Sequence, residues 1–270
     1  MQNDFYDYAS NNDFNDYSNK LNIPQMKSLI CIGIGWIGIS IVATIVSLIL
    51  SLFYPSSEEM TPLQNVTLTG YVNFTSYAII FISLLAVLGL PIIKKILSQF
   101  TNLEKIGKGF MYGGILLVSS IAYNMIVLII YPQFSSNQNQ NLVVEMIRTM
   151  PVISFFSVVL FAPITEEITY RLCLTGTLAK RSKMFAIITS SVIFGLIHSA
   201  FIDLSFINMN QQELINEIIA LPSYIISGVI MALAYTKEDS IATSIVAHAT
   251  NNFIAFLQSF MVVEELFRLF

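Results

Sequence analysis

Charge is scarce in this 270-residue chain. Asp, Glu, Lys and Arg together make up 11% of it, against about a quarter in a soluble globular domain. No basic block offers a surface to nucleic acid, and the net charge is −4. There are only two cysteines, Cys31 and Cys173. They supply neither a disulfide framework nor a metal-binding pair, and read as two small buried hydrophobes. The first 19 residues hold four aspartates and no basic residue, so the basic start and short apolar stretch of a cleavable signal peptide are missing. Residues 1–27 read instead as a polar, acidic tail.

What the chain has is apolar length. It is 55% hydrophobic, with a mean hydropathy of +0.70. A transmembrane helix needs about 20 mostly apolar residues, and seven candidates lie near 28–53, 75–93, 109–131, 149–178, 184–201, 218–235 and 241–263. An eighth, in the tail or within 202–217, lacks the hydrophobicity. The expected fold is an all-α, polytopic transmembrane bundle spanning 28–270. The fourth candidate, at about 1.5 Å per residue, is roughly 45 Å long, so it projects from the membrane or bends at Pro163.

Basic residues orient this arrangement. Lys20, Lys27, Lys94, Lys95, Lys105, Lys108, Lys180, Arg181, Lys183 and Lys237 fall on one side of a seven-span model, and only Arg148 and Arg268 on the other. The bias predicts a multi-pass protein of the cell membrane with a cytoplasmic N-terminus and a C-terminus outside. Two Asn-x-Thr sequons, at Asn65 and Asn73, fall near the first outer connection.

Ionisable groups within a span are costly and therefore functional candidates. The segment "APITEEITYRL" carries Glu166, Glu167 and Arg171. Glu167 and Arg171 are four residues apart with the acid first, the favourable order for an ion pair on one helix face. That pairing leaves Glu166 pointing elsewhere, able to take or give a proton. Both histidines, His198 and His248, also lie in apolar spans, and Asn252 follows His248 by one turn. The fourth and fifth spans form a hairpin turning near "AKRSK". Glu166 and His198 lie roughly 22–26 Å from that turn. His248, roughly 14 Å from its own turn, joins them only if the "TKEDS" turn sits deeper.

Two chemistries are open for such a group. A desolvated carboxylate can act as general base on water oriented by a neutral histidine, while a second histidine and an asparagine donate to an oxyanion. Alternatively, Glu166, His198 and His248 match the ligand count of a catalytic zinc site, although the spacing is not HExxH.

Three motifs in fixed order, EExxxR (Glu166 to Arg171), FxxxH (Phe194 to His198) and HxxxN (His248 to Asn252), resemble those of the CAAX protease and bacteriocin-processing family, also called the Abi family. Its members include the type II CAAX prenyl endopeptidases. The resemblance covers about 150–260. It implies an intramembrane glutamate-type endopeptidase needing no metal, with Glu166 activating water held by His198. It further implies that His248 and Asn252 form the oxyanion site, that Glu167 and Arg171 support it, and that Phe194 packs beneath His198. Leu172 stands where relatives commonly carry glycine, and Tyr170 where they carry phenylalanine. The implied substrate is a peptide precursor or a lipidated protein met in membrane lipid; oligomeric state is not implied. A bacteriocin immunity factor or a membrane scaffold of the same fold is the main alternative. A proton-relaying transporter is a third, without the paired broken helices it predicts.

Overall fold

The computed structural model describes residues 21, 23–201 and 205–260. Most of the acidic tail, residues 261–263 of the last expected span, and Arg268 lie outside the described residues. Those described form helices without a strand: α1 (Gln25–Ser51), α2 (Pro62–Leu88), α3 (Leu90–Gln99), α4 (Leu103–Ile130), α5 (Gln138–Thr149), α6 (Pro151–Leu178), α7 (Lys183–Ile197), α8 (Gln211–Glu238) and α9 (Ile241–Gln258). Five of them, α1, α2, α4, α6 and α8, are long and apolar enough to cross a membrane. This is a helical membrane bundle, and five of the seven expected spans contain a helix long and apolar enough to cross. Helix α7 is apolar but short. Helix α9 is diluted by Thr243, Ser244, His248, Thr250, Asn251 and Asn252.

The second expected span is displaced. Helix α2 starts at Pro62, behind a capping box in which Thr61 and Gln64 bond to each other's backbone. It stops at Leu88 because Gly89 takes a left-handed φ of 77°, and Pro91 starts the separate helix α3. Both sequons therefore lie on a helix, not in an outer loop. The connection expected at 132–141 is likewise partly helical, with Asn137 capping α5.

Small residues let the helices close up around the site. A Cβ on Gly113 of α4 would come within 2.8 Å of Thr250 on α9, and one on Gly228 of α8 within 2.9 Å of Ser191 on α7. Neither pair of helices tolerates a side chain at its crossing, as in membrane packing generally.

The basic ends gather together. Lys105 and Lys108 of α4 pair with Glu238 at the end of α8. Gln99 accepts from the backbone N–H of Ile241 at 2.8 Å. Lys180 and Asp239 line one recess with Gln99 and Ile241. Ile241 packs in one apolar cluster with Ile168, Leu172, Cys173 and Cys31. Leu172, the residue in place of a glycine, is thus core, and the two free cysteines share that core. Ile241 meeting Leu172 also explains how His248 reaches the site. Glu166 lies six residues before Leu172 and His248 seven after Ile241, so antiparallel neighbours bring them level.

Helix α6 continues through Pro163. It passes through two π-helical stretches, Phe155–Phe161 and Glu167–Thr175, on either side of Ala162–Glu166. In the first, the N–H of Ala162 bonds back five residues to Ser157. The next donor in that register would be Pro163, which has no N–H, so the Val158 carbonyl is left for another partner.

Candidate active site

That partner is Asn252. Its Nδ2–H donates to the Val158 carbonyl at 3.0 Å, tying α9 to α6 across 94 residues of sequence. Its Oδ1 accepts from Asn251 at 3.4 Å. One amide hydrogen of Asn252 is thus committed to the backbone.

Glu166, buried in α6, sits at the wall of a cavity of about 440 Å³ that His198, His248 and Asn252 also line. Its Oε1 accepts from the Tyr77 hydroxyl of α2 at 2.8 Å. Its Oε2 is buried and has no hydrogen-bond partner within the protein. Facing that oxygen are Nε2 of His198 at 3.7 Å and Nε2 of His248 at 3.9 Å.

The other ring nitrogens fix the tautomers. Nδ1 of His198 lies 2.8 Å from the Phe194 carbonyl, one turn back. A carbonyl only accepts, so Nδ1 carries the hydrogen and the Nε2 of the neutral ring presents a lone pair. Nδ1 of His248 lies 3.0 Å from Oε1 of Glu167, which likewise assigns the hydrogen to Nδ1.

Glu167 is completely buried. It accepts from His248 and from the Ser244 hydroxyl, and its Oε2 stands 3.4 Å from Nε of Arg171. The same-face pair read from the four-residue spacing is present, and the structure adds His248 and Ser244 to it. Arg171, also fully buried, has no hydrogen-bond acceptor on either terminal nitrogen. Its guanidinium lies over the Phe194 ring, 4.6 Å from the centroid, an attraction worth about 2 kcal/mol when desolvated. Phe194 is the floor of the group: its centroid is 4.4 Å from the His198 ring, 5.9 Å from that of His248 and 5.9 Å from that of Tyr170.

Four residues escaped the sequence reading. Tyr77 holds Glu166. Tyr224 stacks on His198, with centroids 5.0 Å apart and planes at 20°. Asn137 donates to the His198 carbonyl at 3.1 Å and accepts from Tyr224 at 3.2 Å. Glu217, buried in α8, accepts from the N–H of Gln138 at 2.8 Å and of Ala200 at 3.1 Å. The last two fasten the start of α5 to the chain just beyond His198. Each of the four lies on a segment remote in sequence from the three motifs or outside their spacing, so no local spacing announces it.

Glu166, His198 and His248 have the composition of a zinc ligand set. Among the described residues no group of three His, Cys, Asp or Glu side chains meets at metal-ligand distances.

Residues 148–254 match the family model described as "Type II CAAX prenyl endopeptidase Rce1-like". Comparisons with curated proteins and with solved structures give no match. The matched stretch contains Glu166, Glu167, Arg171, Phe194, His198, His248 and Asn252, whereas Tyr77 and Asn137 are outside it. Over residues 148–254, then, the chain is similar to the type II CAAX prenyl endopeptidase Rce1-like family.

Proposed function

We propose that this protein is an intramembrane endopeptidase in which Glu166 takes a proton from water that His198 orients. One observation carries the reading: the buried, unpartnered Oε2 of Glu166 is faced by Nε2 of both histidines at 3.7 and 3.9 Å. A water among them donates one O–H to Glu166 and the other to the lone pair on His198. Its own lone pair then points at the carbonyl carbon of a peptide bond. As Glu166 accepts the proton, the oxygen bonds to that carbon and an oxyanion forms. Glu166 returns the proton to the departing amine.

His248 is the oxyanion donor in this reading. Its Nδ1 is held by the Glu167 carboxylate, which aims Nε2 into the cavity. The amide hydrogen of Asn252 not used on Val158 is a second donor. Tyr77 keeps the reacting carboxylate in place. No step requires a metal. The lysine-rich end is cytoplasmic, which puts the N-terminus inside and the end of α9 outside.

The test uses purified protein in nanodiscs with quenched peptides. Glu166→Gln and His198→Ala are each expected to lower cleavage by about 10³-fold, the scale of general base catalysis, with unchanged thermal unfolding. A non-enzymatic immunity or scaffolding role predicts instead that the cellular phenotype survives Glu166→Ala.

A further inference from the structure

The cavity wall is more polar than a lipid-binding site requires. Of its 31 lining residues, eight are Asn or Gln and eight are Ser or Tyr; twelve are apolar, and the remaining three are Glu166 and the two histidines. No lysine or arginine is among them. Asn73 and Tyr77 stand one turn apart on α2, and Oδ1 of Asn73 is buried without a hydrogen-bond partner. From α4, α8 and α9 come Asn124, Ser227 and Asn251.

An amide side chain presents a donor and an acceptor side by side, the complement of a peptide unit. An isoprenoid chain could satisfy none of these groups and would strip them of water, which is unfavourable for each one left unpaired. The cavity also includes Ser135 and Gln140 near the start of α5 and Gln258 at the end of α9. Ser135 follows the end of α4, whose first turn holds Lys105, and Gln258 ends α9, which Asp239 precedes.

We infer that the cavity holds the main chain of an unlipidated, uncharged polar peptide segment presented from the face opposite the lysines. The inference rests on the endopeptidase reading and names its substrate class. Asn73, Asn124, Ser227 and Asn251 are its specificity-determining residues, binding the segment while Glu166 meets one peptide bond.

The test measures binding, so it is separate from cleavage. Glu166→Gln protein in nanodiscs is titrated with a fluorescent, C-terminally amidated nonapeptide of Ser, Asn and Ala ending in cysteine, either free or farnesylated. Empty nanodiscs give the lipid background. The free-thiol peptide is expected to bind, and farnesylation to change the affinity by less than threefold. Asn124→Leu and Ser227→Leu are each expected to weaken binding at least fivefold without moving thermal unfolding. No binding of the free peptide, a gain of more than threefold on farnesylation, or wall variants that bind normally would each overturn the inference. Failure of the cleavage experiment alone, with these binding results intact, would overturn the endopeptidase reading and leave the peptide-binding assignment standing.

Discussion

His248 donates its Nδ1–H to Glu167 at 3.0 Å, although the two residues are 81 positions apart and stand on different helices. Glu167 in turn is the counter-charge of the fully buried Arg171. One carboxylate therefore neutralises a buried cation and sets the tautomer of a histidine at the site.

This arrangement separates stability from activity. Arg171→Leu leaves Glu167 buried without its cation, and breaking such a pair costs about 3–5 kcal/mol. The double variant Glu167→Leu/Arg171→Leu removes both charges and is expected to recover most of that loss. It should remain inactive, because His248 has lost the acceptor on Nδ1. Thermal unfolding and peptide cleavage on the same preparations check this. A double variant as unstable as Arg171→Leu would show that the pair is not the source of the cost.

Tyr77→Phe deletes only the hydroxyl that donates to Glu166. A hydrogen bond to a charged group is worth about 1.5–3 kcal/mol, so kcat is expected to fall roughly 10- to 100-fold. Thermal unfolding should hold within a few degrees. Unchanged kcat would mean that Glu166 is placed without Tyr77.

The local parts of the site were legible in the sequence, and the non-local parts were not. Glu167 and Arg171 are neighbours on any helical turn, so their four-residue spacing announced the pair. Tyr77 on α2 and Glu217 on α8 are far in sequence from the groups they bond, and only the packing reveals what they touch. The helix ends show the same division. Gly89 and Pro91 break the expected second span for local reasons that a hydropathy window averages away. The depth of His248 likewise depends on which residues share a level across helices, and Ile241 of α9 shares one apolar cluster with Leu172 of α6.

Asn252 and Pro163 should be coupled. Asn252→Leu leaves the Val158 carbonyl unpaired, at about 1–3 kcal/mol for a buried polar group. Pro163→Ala restores a backbone N–H in the register that serves Val158. The double variant is therefore expected to be more stable than Asn252→Leu alone, by thermal unfolding. Strictly additive losses would contradict the role given to Pro163.

Glu217→Ala strands the N–H groups of Gln138 and Ala200, at about 1–3 kcal/mol each. Because these anchor the start of α5 beside His198, hydrogen exchange should rise at 135–142 and 199–201 before it rises in α6. Exchange rising uniformly would argue that Glu217 supports the bundle as a whole.

The central claim is that Glu166 activates water without a metal. Wild type, Glu166→Gln and chelator-treated wild type would be compared in nanodiscs against a quenched, unlipidated peptide. The account predicts cleavage by wild type, full activity after chelation, and loss of about 10³-fold in Glu166→Gln. Normal cleavage by Glu166→Gln, or activity abolished by chelator and restored by zinc, would contradict it.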